Sequence, residues 1–137
     1  MVQKDVIMKK LKELDRYLQQ LVIYQGVTAV ELEKNLEKQW ILERGLQLCI
    51  QVVLDIGNHV LAEEGVAVNS YKDIVVELGN RNVIPPSFAQ KIQGMAGLRN
   101  IIIHEYAVVD LSLLAAIINE RLDDFKKFAG YIIDSID

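Results

Sequence analysis

Apolar residues recur along this chain at spacings of three and four, and strand-like alternation is weak throughout, a pattern that predicts helices from end to end. The first helix is expected from about Asp5 to Gln25, with Ile7, Leu11, Leu14, Leu18, Leu21 and Val22 on one stripe and Gly26 as its stop. Thr28, with Glu31 three residues on, reads as a capping box that opens a second helix. Nothing breaks that helix until about Gly65. Ser70 and Asp73 start a short third helix ending near Gly79, and residues 80–85 make a loop. Pro86 or Ser87 opens a fourth helix carrying Phe88, Ile92, Met95 and Leu98. Asp110 caps a fifth, with Leu113, Leu114, Ile117, Ile118, Leu122, Phe125 and Phe128 along its length. The expected architecture is all-α, an up-and-down bundle of four to five helices in a single domain over residues 1–137.

The second helix adds an expectation about assembly. Its first half is amphipathic, but from Leu46 to Leu61 apolar residues cover most of the circumference. Such a helix must be covered on several sides, and a second copy of the chain is a natural source of cover. A homodimer is therefore predicted. Gly94 and Gly97 cost helix stability, which points to close helix packing as their purpose.

Composition narrows the function classes. Hydrophobic residues make up 51% and charged ones 25% of 137 residues, as expected of a folded domain with a real core. The single cysteine, Cys49, lies in an apolar run and reads as a small buried hydrophobe, with no partner for an intramolecular disulfide. No paired Cys/His spacing suits zinc, and neither a metal nor another cofactor is predicted. The N-terminus lacks an apolar signal core and no apolar run reaches membrane-spanning length, so a cytoplasmic protein without a membrane partner is expected. A formal charge of −4 argues mildly against nucleic acid, although a small nuclease needs only a local basic site.

Against this background one segment stands out. Arg99-Asn100-Ile101-Ile102-Ile103-His104-Glu105-Tyr106 sets a fixed cation, an amide, an imidazole and a phenol among isoleucines. Histidine moves protons near neutral pH, and arginine stays charged and holds phosphate. The pair suffices to cleave a phosphodiester without a metal. On a straight helix Arg99 and Tyr106 nearly coincide, Asn100 and His104 are neighbours one turn apart, and Arg99 and His104 lie about 140° apart. That gap disfavours a site built from one straight helix. It closes if the helix ends or distorts near His104, or if a twofold-related copy supplies the arginine.

Arg99-x4-His104-x-Tyr106, preceded by Gly94-Met95-Ala96-Gly97-Leu98, resembles the signature of the HEPN superfamily, and within it the HepT toxins of HepT–MntA toxin–antitoxin systems. Glu43-Arg44-Gly45-Leu46-Gln47, Asp55-Ile56-Gly57-Asn58-His59, Ser70-Tyr71-Lys72-Asp73-Ile74 and Glu120-Arg121-Leu122-Asp123-Asp124 match as well, so the resemblance spans nearly the whole chain. It implies a homodimer in which two Arg/His motifs face one another and form a composite ribonuclease site. It also implies a partner, an MntA-like nucleotidyltransferase antitoxin that silences the toxin by moving AMP from ATP onto the motif tyrosine. In that scheme Arg99 and His104 are catalytic, Asn100 supports them, and Tyr106 is the residue modified to O-AMP-tyrosine.

Other candidates carry plainer readings. His59, beside Asn58, reads first as a core or interface residue, and second as lining of the same cleft. Glu31 and Glu43 read as capping and surface charges, and Trp40 as core or interface. Lys9, Lys10, Lys12 and Arg16 form a basic face that is usually solvated and only sometimes touches RNA. The competing functional reading is a non-catalytic helical module that binds a nucleotide or a nucleotidyltransferase through the same motif.

Overall fold

The leucine stripe near the N-terminus forms α1, Gln3–Val22, and places Ile7, Leu11, Leu14, Leu18 and Leu21 in the core of the computed structural model. The structure describes residues 3–95 and 109–136. Val22, expected on the same stripe, sits at its edge and is exposed. The helix stops three residues before Gln25, where Gly26 takes a positive φ of 97° that other residues adopt reluctantly. That turn is tied to a distant helix. Asn119 accepts from the Gly26 N–H (2.6 Å) and donates to the Val27 carbonyl (2.9 Å), and Gln25 donates to the Ile118 carbonyl (3.3 Å).

The expected second helix is two helices. Thr28 does cap, accepting from the Glu31 N–H at 3.1 Å, but α2 covers only Ala29–Glu33. Asn35 then takes a non-helical conformation, and its side chain accepts from the Lys38 N–H at 3.0 Å to open α3, Leu36–Glu63. An asparagine side chain competes with the helix for backbone groups in this way. Glu31 spans the break by pairing with the Lys38 ammonium.

The C-terminal half of α3 is covered by its own chain. Cys49, Ile50, Val52, Val53, Leu54, Ile56 and Leu61 are all buried. The reason given above for a second copy, an uncovered stretch from Leu46 to Leu61, therefore does not hold. What stays exposed lies at the other end, in the half expected to be amphipathic: Leu36 (54%), Trp40 (61%) and Ile41 (41%). Trp40 is not a core residue. By length and composition α3 also passes for a membrane span, contrary to expectation, though half of its apolar window is buried inside the protein.

Two glycines of α3 explain how closely its neighbours approach. A Cβ at Gly45 would collide with the Leu21 side chain of α1, and one at Gly57 with Ile74 of the next helix. α1 and α3 run antiparallel, since Leu21 meets Gly45 while Lys10 pairs with Asp55 at 3.4 Å. Gly65, at a φ of 75°, ends α3 with paired bonds from Gly65 N to Ala62 O (3.0 Å) and Val66 N to Leu61 O (2.9 Å).

Ser70 caps α4, Tyr71–Asn80, accepting from the Asp73 N–H at 3.1 Å. Pro86 occupies the first turn of α5, Pro86–Ile92, as expected of a residue with no N–H to satisfy. Asp110 caps α6, Leu111–Glu120, accepting from the Leu113 N–H at 3.1 Å. The last expected helix also divides. α6 stops at Arg121, and α7 runs Leu122–Ile136. The described residues thus form seven helical segments and no strand, where four to five helices were expected. α4 packs on α3 and α5, and α7 packs on α1 and α6, around one continuous apolar cluster.

Candidate functional site

The motif residues Arg99, Asn100, His104 and Tyr106 lie outside the described residues, as do Leu98 and Gly97. What is described is the frame on either side of them. Upstream the chain leaves α5 and passes Met95, which is buried. Downstream it re-enters at Asp110, the cap of α6.

The upstream anchor is held from two directions. From α4, the Tyr71 hydroxyl donates to the Met95 Sδ at 3.7 Å. Burial pushes that phenol well above its usual range, Asp124 raises it further, and Arg121 opposes the shift. From the α6–α7 junction, Asp124 Oδ2 accepts from Arg121 Nε at 2.7 Å, and Asp124 Oδ1 pairs with the Lys91 ammonium at 3.2 Å. Arg121 also donates from Nη2 to the Lys91 carbonyl at 3.3 Å. Sequence reasoning missed this network. Its available signal was the acidic pair Asp123-Asp124, which looks like ordinary first-turn charge favourable to a helix N-terminus. Gly94 was expected to mark close packing, yet among the described residues nothing lies within 4 Å of a Cβ built there.

Asn58 and His59 sit near the C-terminal end of α3, Asn58 exposed and His59 half-buried. They end a stripe on the open side of the helix. At 100° per residue, Trp40, Ile41, Arg44, Leu48, Gln51, Asp55, Asn58 and His59 fall within an arc of about 100°, and none of them is fully buried. The stripe changes character along its length. Near the α3 N-terminus it forms a shallow apolar groove of about 440 Å³ with Tyr17 and Leu21 of α1. In the middle, Asp55 accepts from Gln51 (2.9 Å) and Lys10 (3.4 Å). Lys10 is thereby committed, while Lys9, Lys12 and Arg16 remain exposed on α1.

Glu43, on the more enclosed side of α3, has its carboxyl raised above the usual range by burial. Burial likewise pushes the Cys49 thiol up to about 12, so it is no nucleophile at neutral pH. Among the described residues no group of three or more His, Cys, Asp or Glu side chains is placed to hold a metal ion.

Comparison with known proteins adds what the described geometry leaves open. The tRNA nuclease HepT of Aphanizomenon flos-aquae is 29% identical over 129 residues, 93% of this chain and 87% of that protein. The mRNA nuclease HepT of Shewanella oneidensis is 26% identical over 130 residues, 93% of this chain and 96% of that protein. Among solved structures, the tri-AMPylated Shewanella oneidensis HEPN toxin in complex with MNT antitoxin shares the fold, with a TM-score of 0.85 at 24% identity over 96% of this chain and 98% of that one. A family model described as ribonuclease HepT-like matches residues 7–132, and the chain belongs to that family.

Proposed function

We propose that this chain is the toxin of a toxin–antitoxin pair, a metal-independent RNA endonuclease working through Arg99 and His104. The observation that carries the reading is the sequence Arg99-x4-His104-x-Tyr106 inside a chain of the HepT-like ribonuclease family. The nuclease names of its two relatives support it. His104 takes the proton from a ribose 2′-hydroxyl, whose oxygen attacks the adjacent phosphorus. The 5′-oxygen leaves and receives a proton from an imidazolium, and the product ends in a 2′,3′-cyclic phosphate. Arg99 holds the scissile phosphate and offsets the charge that grows on its oxygens. Asn100, one turn before His104, holds one imidazole nitrogen so that the other faces the substrate.

Two copies complete the site. The 140° between Arg99 and His104 on one straight helix is bridged when each copy lends its motif to a shared cleft, with Asn58 and His59 lining it. Support for pairing comes from the uncovered apolar groove beside Trp40 and Ile41. The chain acts as one helical domain over residues 1–137, in the cytoplasm where its RNA is found, and the continuous buried cluster among the described residues supports that unity.

Control falls to an MntA-like nucleotidyltransferase antitoxin that transfers AMP to Tyr106. The bulky anionic group then sits two residues from His104 and opposes Arg99, excluding RNA by bulk and by charge. The Shewanella toxin of the same fold, AMPylated and complexed with its antitoxin, supports this.

The test is incubation of unmodified protein with tRNA and mRNA, with mass spectrometry of the cleaved ends. Cyclic phosphate ends that persist in chelator and vanish in Arg99→Ala and His104→Ala are expected. Intact RNA with correctly folded wild type would favour the non-catalytic module that binds a nucleotide or nucleotidyltransferase. Tyr106→Phe is expected to cleave RNA and to escape silencing by the antitoxin with ATP and Mg²⁺; AMP mapped only to another tyrosine defeats that part.

A further inference from the structure

Among the described residues Asp124 is the one charged side chain in the core, 4% exposed, and it faces away from neither of the cations beside it. An ion cluster of this kind is weak evidence for stability, because apolar residues of similar volume often serve as well. What it does supply is fixed geometry. α5 ends at Ile92, where the Gln93 N–H bonds the Ala89 carbonyl and the carbonyls beyond it can take partners from elsewhere in the fold. Arg121 takes up the one at Lys91 (3.3 Å), while its own guanidinium is aimed by Asp124 at 2.7 Å. The same carboxylate holds the Lys91 ammonium at 3.2 Å. One buried group therefore sets two bonds to a single residue at the exit of α5. Three residues beyond that exit, Met95 is held from α4 by the Tyr71 hydroxyl, the other polar group that faces the cluster. Arg99 follows Met95 by four residues, a stretch of at most about 14 Å of chain.

We propose that Asp124 is a positioning residue for RNA cleavage: acting through Arg121, it fixes the exit of α5 from which the Arg99–His104 segment departs. This rests on the reading that Arg99 and His104 cleave RNA. Asp124 does not touch substrate, and its loss moves the catalytic groups without removing them. Displacement of reacting groups by about 1 Å costs about a hundredfold in rate. The expected signature is a fall in kcat with little change in KM, since exposed basic residues elsewhere still draw RNA to the surface.

The experiment compares wild type, Asp124→Asn, Asp124→Glu, Arg121→Lys and the Asp124→Asn/Arg121→Lys double variant. RNA cleavage is measured at saturating substrate, at a temperature where each is shown by circular dichroism to be folded. Asp124→Asn is expected to lower kcat about ten- to hundredfold with KM within about twofold. Asp124→Glu recovers part of the loss. Arg121→Lys, which keeps the charge but loses the forked donor, falls similarly, and the double variant falls no further than the worse single one. Wild-type kcat in a folded Asp124→Asn protein overturns the proposal, and so do additive losses in the double variant. Should Asp124→Asn not fold, the half-exposed Arg121→Lys decides alone, with unchanged kcat as the overturning result. A wild type inert on RNA instead removes the functional reading on which the proposal rests, so the two failures are distinguishable.

Discussion

The two halves of α3 have similar apolar content and opposite fates. From Cys49 to Leu61 nearly all the apolar side chains are enclosed by their own chain, with α4 pressed against Gly57. From Leu36 to Ile41 it keeps an aliphatic and aromatic surface in the open, beside a groove floored by α1. Hydrophobicity around a helix therefore says that cover is needed, not who provides it. The half with the fuller apolar circumference needs no second copy, whereas the half that reads as amphipathic has the surface suited to one.

The largest effect is expected in the enclosed half. Ile50→Ala removes a fully buried side chain and should cost about 2–5 kcal/mol of unfolding free energy, read from denaturant midpoints. A cost near zero would break the comparison at its firmer end. In the open half, Trp40→Glu should leave the unfolding free energy of the monomer within about 0.5 kcal/mol. It should also weaken self-association about thirtyfold or more, as loss of a central interface tryptophan does. Sedimentation equilibrium measures this, and unchanged association would place the pairing surface elsewhere. The smallest effect concerns Glu43, on the same half of the helix. Its carboxyl is raised by burial, so the folded state holds the proton more tightly than the unfolded chain does. The resulting stability is fully present below the ordinary carboxyl range and is lost as pH rises through the raised value. Glu43→Gln should therefore be slightly more stable than wild type at pH 7, with the advantage shrinking toward pH 4. Thermal melts across that range check the sign, and an advantage that grows on acidification would contradict it.

Much of this contrast was out of reach of the sequence, while other parts were plain in it. The stripe of α1, the caps Thr28, Ser70 and Asp110, and the opening of α5 at Pro86 depend on neighbours a few residues away, and local pattern is enough to place them. The breaks at Asn35 and Arg121 were not legible. Asn35 could equally have stayed helical, and at Arg121 no breaker residue occurs; the side chain there bonds across 30 residues to Lys91. The proposed chemistry rests on sequence alone, where Arg99, His104 and Tyr106 are unusual neighbours, and the three lie outside the described residues. The ion cluster around Asp124 was not legible, because Asp124 looks like any acid in a first helical turn until its burial is known.

The bonds from Asn119 back to Gly26 and Val27 bear on how the chain is made. They join positions 93 and 92 residues apart, so the α1–α2 corner is closed by a group that the ribosome delivers long after the corner itself. Closing so long a loop costs about 4 kcal/mol of chain entropy, which must be met by contacts already formed. A nascent chain halted before α6 has no Asn119 to satisfy the corner and no Ile118 carbonyl for Gln25. A chain halted there therefore lacks these three bonds, and the α1–α2 corner closes only as a late, long-range event.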